Sequence, residues 1–118
     1  MKLTIDRLEW LRGEGPLRSK LLRDSDGKRC CVGIYAQALG VPDEKILDCA
    51  WPNRMGEDIL IWDSETWWCA EEAPWLHNEC AAPGLANIND DPELNEVTRE
   101  QLITGRFAEH DVEVTFIN

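Results

Sequence analysis

Histidine is nearly absent from this chain of 118 residues: His77 and His110 are the only two, beside one tyrosine and two phenylalanines. Any acid–base or metal scheme that needs an imidazole must therefore use one of them. No apolar stretch approaches the ~18 residues of a membrane-spanning helix, so no membrane association is expected. The opening "MKLTIDRLEW" alternates charged with apolar residues and lacks the unbroken apolar run of a secretion leader. That predicts a chain retained in a reducing cytoplasm. No C-x-x-C pair occurs, and the five cysteines (Cys30, Cys31, Cys49, Cys69, Cys80) are an odd number without a framework spacing. Reduced thiols fit them better than structural disulfides.

Basic residues are scarce after position 31, where four Lys/Arg face eighteen acids; residues 1–31 hold eight Lys/Arg against five. The net charge is −11. Such a surface repels nucleic acid and anionic lipid, so no direct nucleic-acid binding is expected. It attracts a protein partner with a basic surface.

What is present reads as one α+β domain over residues 1–118. "IDRLEWLR" predicts a short helix capped by Thr4, with Ile5, Leu8 and Leu11 on one face and Gly13 ending it. "LRSKLLR" predicts a strand, and "DSDG" at 24–27 a turn closed by a glycine suited to positive φ. From Cys30 the apolar positions Cys30, Cys31, Ile34, Tyr35, Ala38 and Leu39 follow helical spacing up to Gly40, predicting a central buried helix over about 30–39. "PDEKILDCAWP" gives a helical turn and "DILIWD" at 58–63 a strand. "GLANINDDPEL" reads as an Asn/Asp-rich loop, with Asp90 or Asp91 capping a turn opened by Pro92. "NEVTREQLITGRFAEH" predicts a C-terminal helix over about 95–109 with Leu102, Ile103, Arg106 and Phe107 on its inner side. "DVEVTFIN" predicts a half-buried strand. The expected architecture is a short antiparallel or mixed sheet packed on the two helices.

Four constellations carry candidate chemistry. Cys30 and Cys31 stand at a helix start behind Lys28 and Arg29, where free N–H groups and cations favour a thiolate; His77 or His110 would be the base of a cysteine-dependent enzyme. Both cysteines also lie on the apolar stripe, which makes them small buried hydrophobes. Cys49, Cys69, His77 and Cys80 form a legitimate zinc set by residue type, but their spacing matches no common pattern, so no cofactor is expected. Asn87, Asn89 and Asp91 have calcium-loop spacing, yet Pro92 replaces the required glycine and Thr98 the required glutamate. Finally, six tryptophans occur, four of them (Trp62, Trp67, Trp68, Trp75) within fourteen positions. Tandem Trp67 and Trp68 cannot both face inward from an extended segment. One becomes an interface anchor beside the acidic Glu71, Glu72, Asp90 and Asp91, which together are the expected partner-binding residues.

"LEWLRG", "SKLLRDSDGKRCCVGIYAQALGV", "NINDDPEL" and "FAEHDVEVTFI" resemble a family of small accessory proteins of tailed bacteriophages and prophages, with a Gly-Lys-x-Cys-Cys-x-Gly helix start. The resemblance covers most of the chain, least over residues 44–83. It implies a phage-encoded protein acting in the host cytosol and implies no catalytic residues. The functional expectation is a non-enzymatic acidic protein that blocks a host protein, such as a component of a CRISPR defence. The alternatives are the cysteine-dependent enzyme and a sponge that holds a small signalling molecule in a tryptophan-lined pocket.

Overall fold

The computed structural model describes residues 1–15, 17–48, 75 and 84–118. Along them run β1 (Lys2–Asp6), α1 (Cys31–Ala38), a 3-10 turn (Asp43–Lys45), α2 (Leu85–Asp90), α3 (Glu96–Ala108) and β2 (Glu113–Ile117). The expected strand at 58–63 lies outside the described residues.

The first strand replaces the expected helix. Leu3 and Ile5 are buried while Lys2 and Thr4 are exposed, a period of two. Asp6 then turns the chain, its carboxylate accepting from Leu8 N and its carbonyl from Glu9 N. The helical reading required Leu8 inside; it is 70 % exposed, whereas Leu11 is buried. β1 pairs with β2 in parallel, Leu3 opposite Val114 and Ile5 opposite Phe116. The sheet of the described residues is therefore parallel, not antiparallel or mixed. Parallel neighbours need a long crossover, and here α1, α2 and α3 all fall within it.

The other elements follow local chemistry. The turn at 24–27 forms as expected: Gly27 takes φ +73° and its N–H donates to the Arg23 carbonyl. "LRSKLLR" makes no strand. Leu21 and Leu22 are both buried, and Leu22 makes only an isolated parallel bridge to Leu47. α1 is central, with every residue from Cys31 to Ala36 buried. It lies directly on the backbone of the 20–22 segment, because Gly33 has no side chain; a methyl there would be driven into the Leu21 carbonyl. α3 begins where Asn95 accepts from Thr98 N at 2.8 Å. Its buried line is Arg99, Ile103 and Phe107; Leu102 is largely exposed, so the inner side is rotated from the expected one. α1 rests on β1, β2 on α3, α3 on α2 and α2 on α1. These contacts close a ring around Leu3, Ile5, Trp10, Leu85, Ile103 and Phe107. Each such side chain contributes about 1.5–3 kcal/mol on burial.

α2 occupies the expected Asn/Asp loop, and two polar residues make that workable. Asn89 is fully buried. Its Oδ1 accepts from Trp10 Nε1 at 2.9 Å and from the Cys31 N–H at 3.1 Å, while Nδ2 donates to the Leu11 carbonyl and to Asp90 Oδ1. The amide thereby ties the 10–11 segment, the start of α1 and α2 together. Arg99, only 2 % exposed, reaches from α3 to the carbonyls that α2 leaves unsatisfied at its end. Nη1 donates to Ile88 O and Asn89 O, and Nη2 to Leu94 O.

Candidate functional site

Among the described residues, an open groove lies between β2 and the outer side of α3. α3 runs back along β2, so Val97 and Glu100 lie near Phe116 and Ala108 lies near Val112 and Val114. Two open depressions follow that line. One, of about 510 Å³, is lined by Val97, Glu100, Gln101, Thr104, Gly105 and Phe116. The other, of about 430 Å³, continues past Thr104 to Ala108, Val112 and Val114, with Met1, Lys2, Asp111 and Glu113 at its rim. Thr104 spends its hydroxyl on the Glu100 carbonyl, and the space above Gly105 is empty to 4 Å. The floor is therefore shallow and mostly apolar, and Val97 beside it is 68 % exposed.

The backbone of β2 adds hydrogen-bonding groups to this groove. In the parallel register Glu113 N donates to Met1 O and Ile117 O accepts from Arg7 N. Residues 113, 115 and 117 thus face β1, which turns the N–H and C=O of Val114 and Phe116 to the other edge. No third strand pairs with that edge among the described residues.

At one end Arg7 grips Glu100 with two bonds of 2.7 Å while its guanidinium lies 5.6 Å from the Phe116 ring centre. The hydrogen bonds that Arg7 donates to Glu100 are the main reason the Arg7 pKa is raised. Arg12 likewise binds Glu96 at 2.6 Å and covers the Trp10 ring. Two arginines of the basic first third of the chain are therefore laid on the two glutamates of α3. Arg23 is paired with Glu14 and Asp26, and Arg29 with Asp43. Carboxylates are in excess once these pairs are made.

Among the described residues, the catalytic candidates Cys30, Cys31 and His110 are not laid out as an accessible site. Cys30 and Cys31 both have zero exposure. A thiol with no open surface meets no substrate without opening of the fold. His110 follows the end of α3 and stacks face to face on Trp75, with ring centres 4.1 Å apart and planes 12° apart. Trp75 also meets Tyr35 and Phe107 edge-on or tilted, so this tryptophan belongs to an aromatic cluster at the core margin. His77, the zinc set Cys49, Cys69 and Cys80, and the partner-binding residues Trp67, Trp68, Glu71 and Glu72 lie outside the described residues. Among the described residues no three His, Cys, Asp or Glu side chains converge as metal ligands. Asp90, expected at the partner surface, is instead buried at 2 % exposure and accepts from Asn89. Asp91 is half-buried, and its carboxylate accepts from Glu93 N, capping the turn through Pro92 as expected.

The sequence reading missed the β2 edge and its groove. The alternation of "DVEVTFI" marks the strand, but only the position of β1 decides which of its edges stays open. No helix among the described residues is long and apolar enough to cross a membrane. Comparison with protein-family models, with curated proteins and with solved structures yields no match.

Proposed function

We propose that this chain is a phage-encoded, non-enzymatic acidic binding protein that acts in the host cytoplasm by occupying a basic surface of a host protein, in the manner of an anti-CRISPR inhibitor. The observation that carries the reading is the charge that remains after folding. The net charge is −11, and Arg7, Arg12, Arg23 and Arg29 are already engaged by carboxylates of the same chain. A surplus of that size is a steering field for a cationic partner and a barrier to nucleic acid or anionic lipid. The burial of Cys30 and Cys31 favours this reading over the cysteine-dependent enzyme. The phage and anti-defence parts rest on the resemblance of "GKRCCVG" and its flanking motifs. Trp67 or Trp68 supplies the aromatic anchor in this reading.

The test is capture of partners from a bacterial lysate on the immobilised chain, with elution by a salt gradient. A basic host protein should be retained at low salt and released steeply as salt rises. Trp67→Ala or Trp68→Ala should weaken its retention. A complex indifferent to salt, or no retained protein at all, overturns the reading.

A further inference from the structure

We infer that the outer edge of β2 is a docking site for an extended segment of a protein, one in which lysine or arginine alternates with apolar residues. The inference rests on the proposal that the chain is a binding protein and assigns one surface that takes part in the binding. Three features of the structure define the occupant. The N–H and C=O groups of Val114 and Phe116 point away from β1 and are unpaired by any described residue, which is the hydrogen-bonding pattern of a strand waiting for a neighbour. A strand added there lies over the outer side of α3, where Val97, Thr104, Gly105 and Ala108 leave a shallow apolar floor. Alternate side chains of the guest point onto that floor, and the intervening ones point out beside Glu113, on the opposite face of the sheet.

Charge then selects the outward residues. The chain carries a net charge of −11, and the groove itself is lined by Glu100, Asp111 and Glu113 beside Lys2 and the Met1 ammonium. Cations on the outer face of the guest are attracted, and acidic segments are repelled. A second copy of this chain is the poorer guest, because pairing β2 with β2 would bring together two chains of net charge −11. Exposed strand edges are normally blunted by lysine, proline or a bulge. β2, "EVTFI", carries none of these devices.

The experiment follows backbone amides of the isotope-labelled full chain by nuclear magnetic resonance. The probe is a synthetic peptide alternating lysine with valine, and the control alternates glutamate with valine. The lysine peptide should shift the Val114 and Phe116 amides and slow their hydrogen exchange, with affinity falling as salt rises. The glutamate peptide should do neither. Val114→Pro removes an N–H that β1 does not use and places a ring in the path of the guest, so it should weaken binding at least about tenfold. Gly105→Trp fills the floor where an added side chain meets nothing, and should weaken binding similarly with the thermal midpoint kept. If Val114→Pro does not fold, Gly105→Trp decides. Shifts confined to other amides, or binding unchanged in Gly105→Trp, overturn the edge assignment while leaving an acidic binding protein. No response to the lysine peptide at low salt overturns the assignment too, and the lysate capture then decides the broader proposal by itself. A dimer of the chain alone that Gly105→Trp dissolves overturns the choice of guest.

Discussion

Asn89 satisfies three groups that water cannot reach: the Trp10 indole N–H, the Cys31 N–H and the Leu11 carbonyl. Each such group costs about 1–3 kcal/mol when left buried without a partner. Asn89→Ala should therefore lower the unfolding free energy by about 3 kcal/mol or more, read from urea denaturation. A loss below about 1 kcal/mol would mean that water enters and substitutes for the amide. Asp26 stands instead at the surface. Its carboxyl is held down from an ordinary 3.8 to about 2, first by the hydrogen bond from Arg23 and then by the Lys28 N–H, against the opposing effect of desolvation. Because the folded value is the lower one, the contribution is complete above the unfolded pKa and is lost as pH falls through the folded one. The side chain is 34 % exposed, so solvent screening keeps the contribution to about 0.5–1 kcal/mol. Asp26→Asn should thus be less stable than the parent at neutral pH, with the gap closing between about pH 4 and pH 2. A gap that stays constant over that range would assign the loss to turn geometry and not to charge.

Among the elements, α1, α3 and β2 were legible because each carries its pattern within a dozen residues. α1 is apolar nearly all round, α3 has its buried line at every fourth residue, and β2 alternates. β1 was not legible, since "LTIDRLEWL" satisfies a helical stripe through Ile5 and Leu8 as well as a strand through Leu3 and Ile5. The partner that decides between them, β2, lies far along the chain. α2 failed for a different reason: Asn87, Asn89 and Asp90 read as loop formers, and the tertiary partners that allow Asn89 to be buried carry no local signal. The groove inherits the first failure, because its open edge is defined by what β1 covers. Two glycines sharpen the element scale, since the same substitution should act in opposite directions. Gly33→Ala forces α1 off the Leu21 backbone and should cost about 3 kcal/mol or more. Gly105→Ala adds a methyl into open space on a helix and should gain about 0.5–1 kcal/mol. Thermal midpoints of the two variants test the pair; equal shifts of either sign would contradict the packing described for α1.

For the molecule as a whole, the uneven charge of the sequence becomes an internal fit. The early arginines Arg7 and Arg12 meet Glu100 and Glu96 on α3, so these charges cancel in pairs and the net −11 rests on the remainder of the chain. This is why salt should weaken a complex with a cationic partner more than it weakens the fold. Exposed ion pairs contribute little to stability, while the long-range field that guides association is screened over about 10 Å. The parallel union of β1 and β2 has its own consequence during synthesis. Met1 and Asp111, which meet at the start of the sheet, are 110 residues apart in the chain. At about 5–20 residues per second, β1 leaves the ribosome about 5–20 s before β2 exists. Throughout that interval Leu3 and Ile5 have no strand to lie against, so the nascent chain presents them to whichever chaperone binds short apolar stretches first.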